Sequence, residues 1–121
     1  MHDGKSILIV EDDDDVRGAL AAFLEGEGYS VVEAEHGRAA LDQLHSPLSF
    51  CLILLDLFMP VMNGWAFRAE QQKDPQIAGI PVVLVTADRM ATKHAADLGA
   101  VAEVVKPIEF ERLLEHVSRY C

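Results

Sequence analysis

Cys51-Leu52-Ile53-Leu54-Leu55-Asp56 is an apolar run with no polar break that ends on a carboxylate, and its reading decides the fold. A strand buried on one face alternates, whereas a run apolar at every position belongs to a strand covered on both faces, as in a parallel sheet. Three further stretches repeat the pattern. Ser6-Ile7-Leu8-Ile9-Val10 runs into Glu11-Asp12-Asp13, Val82-Val83-Leu84-Val85 ends in Thr86, and Val101-Ala102-Glu103-Val104-Val105 runs into Lys106-Pro107. If these strands are parallel, their ends converge on one rim. That rim then carries carboxylates, a hydroxyl and an ammonium, which suit a divalent cation and a phosphoryl group.

Five strands are expected at roughly 5–10, 30–34, 51–55, 81–85 and 101–105, alternating with helical patterns. Val16, Leu20, Phe23 and Leu24 recur at helical spacing until Gly26 and Gly28 stop them. Ala40, Leu41 and Leu44 mark a second helix that ends before Pro47. Asn63-Gly64 opens a third, Trp65 to Lys73, which Asp74-Pro75 closes, and an Ala-rich fourth from Ala91 to Leu98 meets Gly99. Phe110, Leu113, Leu114 and Val117 form a stripe for a fifth. Alternating strands and helices imply right-handed crossovers and a doubly wound α/β sheet, whose ligands bind beyond the carboxyl ends of the strands. The connections are short, so the chain reads as one domain over residues 1–121.

Composition narrows the function. A length of 121 residues suits one core, and a net charge of −10 argues against direct nucleic-acid binding, which needs clustered Lys and Arg. No apolar segment reaches transmembrane length and no signal peptide is read, so no membrane insertion and a cytoplasmic location are expected. Cys51 lies in an apolar strand and Cys121 is the last residue, so the pair is not read as a disulfide framework.

Glu11, Asp12 and Asp56 within about 5 Å of one another repel by roughly 3 kcal/mol per pair at an effective dielectric near 20. A hard cation held by oxygens compensates, and Mg²⁺ typically takes one or two carboxylates with waters and phosphate oxygens. One carboxylate then serves as nucleophile toward a phosphoryl group, while Lys106 and the metal balance charge on its oxygens and the Thr86 hydroxyl donates to one of them. Asp56, alone at the end of a wholly apolar strand, is the expected nucleophile. Asp13, Asp14 and Asp15 suit an N-cap and first helical turn. The acidic run lacks EF-hand ligand spacing, and no Gly-rich loop follows the first strand, which excludes a nucleotide-binding doubly wound domain. His2, His36, His45, His94 and His116 form no motif and read as surface residues.

These motifs together resemble the receiver domain of two-component response regulators, over essentially the whole chain. They are Ile7-Leu8-Ile9-Val10-Glu11-Asp12-Asp13, Leu55-Asp56-Leu57-Phe58-Met59-Pro60-Val61-Met62-Asn63-Gly64, Val83-Leu84-Val85-Thr86-Ala87 and Val104-Val105-Lys106-Pro107. The resemblance implies a flavodoxin-like (βα)5 sheet with strand order 2-1-3-4-5. It implies that Asp56 accepts a phosphoryl group from a phosphohistidine on a sensor histidine kinase or phosphotransfer protein. It also implies that Mg²⁺ is held by Asp12 directly, by Glu11 through water, by Asp56, and by the backbone carbonyl of Phe58. Thr86 and Lys106 would hold the phosphoryl oxygens, and the Lys106-Pro107 peptide would be cis.

The resemblance further implies that the face of helix 4, strand 5 and helix 5 docks an unidentified downstream protein and changes partner on phosphorylation, the chain being a monomer or a phosphorylation-dependent dimer. The module would assist its own phosphorylation and dephosphorylation without being an enzyme. Nothing after Tyr120-Cys121 serves as an output domain, so a stand-alone regulator or a receiver excised from a longer protein is expected. Three residues stand out. Glu103 occupies the position, three before Lys106, where the family usually carries Tyr or Phe, so no aromatic switch is expected and Glu103 should stay outward, within reach of Arg89 and Lys93. Phe58 is bulkier than in many relatives and should slow water attack, whereas Asp88 lies where it could orient that water. Two alternatives were open. A Mg²⁺-dependent phosphohydrolase would need a second Asp where Phe58 stands, and a non-phosphorylated interaction domain would typically have lost Asp56 or the acidic pair.

Overall fold

The computed structural model describes residues 4–121. Five strands form one parallel sheet: β1 (Ser6–Val10), β2 (Ser30–Ala34), β3 (Phe50–Leu55), β4 (Val82–Thr86) and β5 (Ala102–Val105). Their order is β2-β1-β3-β4-β5. The helices are α1 (Asp14–Gly26), α2 (Gly37–Leu44), α3 (Gly64–Lys73), α4 (Ala91–Leu98) and α5 (Phe110–Tyr120). The expected strands fall within a residue of these bounds, and strand order reverses between β1 and β3. The two strands beside that reversal, β1 and β3, are buried at every residue.

Alternation along the strands divides the core into two layers. Ile7, Ile9, Leu52, Leu54, Val83, Val85 and Val104 face Leu20 and Leu24 of α1 and Leu113 and Val117 of α5. Leu8, Val10, Ile53, Leu55 and Val82 face Ala40, Leu41 and Leu44 of α2 and Phe67 of α3. Leu84 packs with Ala95 and Leu98 of α4. Asp13 caps α1 by accepting from the N–H groups of Asp15 and Val16 at 2.9 and 3.1 Å, and Asn63 caps α3 through Ala66 N–H. His36, read as a surface residue, caps α2: its Nδ1 accepts the Ala39 N–H at 3.1 Å. Gly99 ends α4 at φ 67°, a left-handed cap that glycine adopts without strain. His2 lies outside the described residues.

The cysteines correct the reading of the sequence. Cys51 and Cys121 are joined by a disulfide, with Cα atoms 5.5 Å apart. α5 runs back along the sheet and ends its last turn beside the start of β3. Spacing in the sequence says nothing of that return, which depends on where the helix docks.

A polar network ties α3 to its surroundings. Buried Arg68 donates from Nε to Leu98 O at 2.8 Å, from Nη2 to Gly99 O at 3.3 Å and from Nη1 to Gln71 Oε1 at 2.7 Å. Its cation thus sits on the carbonyl end of α4, where the helix dipole is negative. Burial holds the guanidinium below its ordinary pKa. Gln71, fully buried, donates to Ile77 O and Ile80 O at 2.9 and 3.1 Å, securing the segment that leads into β4. Gln71→Leu strands the Ile80 carbonyl and one guanidinium N–H, and leaves Ile77 O with only the Ile80 N–H. It is expected to lower unfolding free energy by about 2–4 kcal/mol, read as a lower urea midpoint with unchanged slope.

Candidate functional site

The carboxylates meet because the ladders of β1 with β3 and with β2 continue past the last strand residues. Asp56 N–H donates to Val10 O at 3.0 Å and Glu11 N–H to Ala34 O at 3.0 Å, so the backbone stays in register as the side chains reach the rim. One oxygen each of Glu11, Asp12 and Asp56 lies within 4.8 Å of the others. Glu11 and Asp56 are only 2% and 6% exposed, whereas Asp12 faces solvent. Lys106 comes from the far side of the sheet: its N–H donates to Thr86 O at 2.9 Å, extending the β4–β5 ladder. Its Nζ donates to Glu11 Oε1 in a short contact and to Asp56 Oδ2 at 3.3 Å.

Charge in this cluster is unbalanced. Burial raises the Asp12 pKa above the ordinary carboxylate value, and the hydrogen bond and negative charge of Glu11 add to that. For Lys106, burial opposes the charged form, but the Glu11 hydrogen bond and the Asp56 and Glu11 charges outweigh it and raise the ammonium pKa. One ammonium against three carboxylates leaves net negative charge, and the donors are hard oxygens. Such a set fits a small divalent cation. Arg17 fixes the entry to α1 without neutralising the cluster: it donates to Glu11 O at 2.8 Å and pairs with Asp14 and Glu33 at 2.5 and 3.3 Å.

The loop after β3 is held by close backbone packing. Asp56 Oδ1 accepts the Leu57 N–H at 2.7 Å, which orients the carboxylate. Gly64 N–H donates to Leu57 O at 2.8 Å, and a Cβ on Gly64 would lie 2.6 Å from Asp56 O and 2.8 Å from Leu57 Cα. The loop's other shoulder rests on Gly37, where a Cβ would meet Met62 O at 2.8 Å. Between them Val61 adopts φ 67° while Met62 N–H donates to Pro60 O at 2.7 Å, a γ-turn about a β-branched residue and a strained conformation. Val61 is 78% exposed, so what holds it there is the clamped loop on either side and not its own packing.

Phe58 is 59% exposed, and its ring packs edge-on against Trp65 with centroids 5.4 Å apart. Trp65 in turn meets the His94 ring at 5.2 Å, and His94 Nε2 pairs with Asp88 Oδ2 at 2.8 Å. His94 is therefore partly buried and bound, not the surface residue the sequence suggested. Asp88 has its other oxygen on Met90 N–H at 3.0 Å, so both are engaged. Thr86 ends β4 fully buried, and its hydroxyl oxygen accepts the Asp88 N–H at 3.3 Å. The Lys106-Pro107 peptide is cis, as the resemblance implied. Glu103 accepts a hydrogen bond from Thr92 Oγ1 at 2.9 Å, and no ion pair joins it to Arg89 or Lys93 among the described residues.

The structure thus gathers Glu11, Asp12, Asp56 and Lys106 directly and sets Thr86 on the adjoining strand end. Sequence reading missed Trp65 and His94, although their places on α3 and α4, flanking the exits of β3 and β4, are a usable signal.

Comparison with known proteins gives a consistent picture. The family model for the response regulator receiver domain matches residues 7–118. Protein PilH of Pseudomonas aeruginosa is 33% identical over 116 residues, with 93% of each chain covered. Chemotaxis protein CheV3 of Helicobacter pylori is 32% identical over 93% of this chain but only 40% of its own length, so the chain spans less than half of that relative. Among solved structures, chemotaxis protein CheY4 of Vibrio cholerae superposes with a TM-score of 0.86 at 28% identity, covering 97% of this chain and 98% of that one. Response regulator protein TrrA of Thermotoga maritima, solved in complex with Mg(2+)-BeF, gives 0.84 at 31% identity, covering 97% and 99%.

Gly64→Ala places a methyl group against backbone that has no rotamer with which to yield. The variant is expected to lose about 1–3 kcal/mol of stability, checked by urea unfolding. Gly18→Ala, on an open surface of α1, serves as the control and should not be destabilised.

Proposed function

The chain belongs to the response regulator receiver domain family, and on that premise we propose that Asp56 is the phosphoacceptor of a two-component or phosphorelay system. The supporting observation is the Lys106 ammonium held between Glu11 and Asp56 at the carboxyl ends of three strands. Asp56 Oδ2 faces Lys106 while Oδ1 is tied to Leu57 N–H, so one oxygen is oriented toward the rim for attack. Attack on a phosphohistidine forms the aspartyl O–P bond and breaks the N–P bond, returning the electron pair to the donor imidazole. Lys106 then moves with the phosphoryl oxygens, and the buried Thr86 hydroxyl, at the end of the adjoining strand, donates to another.

Glu11, Asp12, Asp56 and the Phe58 carbonyl would hold Mg²⁺. When bound it would supply charge neutralisation for the carboxylates and the incoming phosphoryl oxygens. The donor would be a sensor histidine kinase or a phosphotransfer protein, in a cytoplasmic setting; no helix among the described residues is long and apolar enough to cross a membrane. Output would pass through α4, β5 and α5. Here the Thr92–Glu103 hydrogen bond joins α4 to β5 in place of an aromatic switch.

The test is incubation with Mg²⁺ and a small phosphodonor, followed by intact mass. Wild type should gain one phosphoryl group, Asp56→Asn none, and Asp12→Asn should lose the Mg²⁺ dependence. Phosphorylation at another residue, or none with Mg²⁺ present, would overturn the assignment and favour a non-phosphorylated interaction domain. The Phe58 ring, braced by Trp65, should shield the acyl phosphate from water. Phe58→Asn is expected to shorten the phosphoryl lifetime, measured as decay of the phosphorylated mass after donor removal.

A further inference from the structure

The Cys51–Cys121 bond stands apart from the acidic rim and is unused by the phosphoacceptor reading. It joins the beginning of β3 to the residue that follows α5 and closes a sequence separation of 70 residues. A domain of this size buries enough apolar surface to fold without a staple. Cys51 is 8% exposed, whereas Cys121 is half-buried at the end of its helix, so of the two cysteines Cys121 is the nearer to solvent. Ser6 O lies 3.5 Å from Cys51 Sγ. A reduced Cys51 thus finds an acceptor for its S–H in place, and opening the bond orphans no buried group.

We infer that Cys51 and Cys121 form a reversible thiol–disulfide site, opened by small thiols of the glutathione class, that clamps the last turn of α5 to β3. The inference rests on the cytoplasmic setting proposed above, where a disulfide is usually transient or redox-sensing, and this one joins the chain's two cysteines. A small thiolate attacks Cys121 Sγ, forming a mixed disulfide and expelling Cys51 as thiolate, which takes a proton from solvent. A second small thiolate attacks the sulfur of the small thiol in that mixed disulfide. This releases the small disulfide and leaves Cys121 as a thiol after protonation. Two electrons pass to the protein, and two small thiols become one small disulfide. In the closed form Tyr120 and Cys121 lie against the core layer that holds Val117 and Leu113. In the open form the last turn is held by α5's own packing alone.

The test uses the full chain in glutathione buffers of graded ratio, with thiols trapped by alkylation and counted by intact mass. Between oxidised and reduced buffers the protein should pass from no adducts to two in one two-electron step. The Tm should fall by on the order of 10 °C on reduction. Cys121→Ser should match the reduced wild type and show no redox dependence of Tm. Two adducts in oxidised buffer, a bond still closed in fully reduced glutathione, an unchanged Tm, or a redox-dependent Tm in the variant would each overturn the inference. No phosphodonor is involved, so the outcome is independent of the Asp56 assignment.

Discussion

The rest of the site depends on one ammonium shared by two buried carboxylates. Glu11 and Asp56 are almost removed from water, and an uncompensated charge there carries a large desolvation cost. Lys106 supplies compensation, yet it lies nearly a hundred residues from Glu11, and only the parallel sheet brings them together. The sheet therefore solves an electrostatic problem as well as a packing one. β1 and β3 bring the negative groups to one rim, and β5, across β4, returns the positive one. Because one ammonium leaves charge unmatched, the rim keeps a net negative charge on hard oxygens, which suits a small divalent cation.

Several features of this arrangement were legible in the residues alone. Strands buried on both faces announce themselves by having no polar alternation, and each of the four runs ends on a group with obvious chemistry. Asp56, Lys106 and the acidic pair follow from that pattern once the strands are taken as parallel. What was not legible depends on the approach of helices. The Cys51–Cys121 bond requires knowing where α5 ends its return along the sheet. His94 looked like a surface residue because the histidines form no motif, and only docking shows its ring turned toward Trp65. Glu103 accepts from Thr92 on α4, whereas Arg89 lies before that helix begins.

Rigidity around Asp56 comes from missing side chains more than from bonds. Gly64 and Gly37 let two backbones approach the loop within distances that any Cβ would forbid, so the loop is pinned between α3 and α2. That confinement supports the γ-turn at Val61, which a β-branched residue does not adopt freely. Strain in an exposed loop beside a charged cluster is maintained only while both shoulders hold. The loop therefore has two physically distinct supports, of which the one at Gly64 touches the Asp56 backbone.

α3 is the element best placed to carry a change at Asp56 outward. It begins at Gly64, in contact with the Asp56 backbone, and its next residue is Trp65, whose ring lies against His94 of α4. One turn further on, Arg68 of the same helix binds the carbonyls at the end of α4. α4 is thus held by α3 through His94 and again at its C-terminus, and His94 also holds Asp88 in the segment leading from Thr86. On its other side α4 packs against β4 and β5, with Leu84 against Ala95 and Leu98 and an exposed hydrogen bond from Thr92 to Glu103.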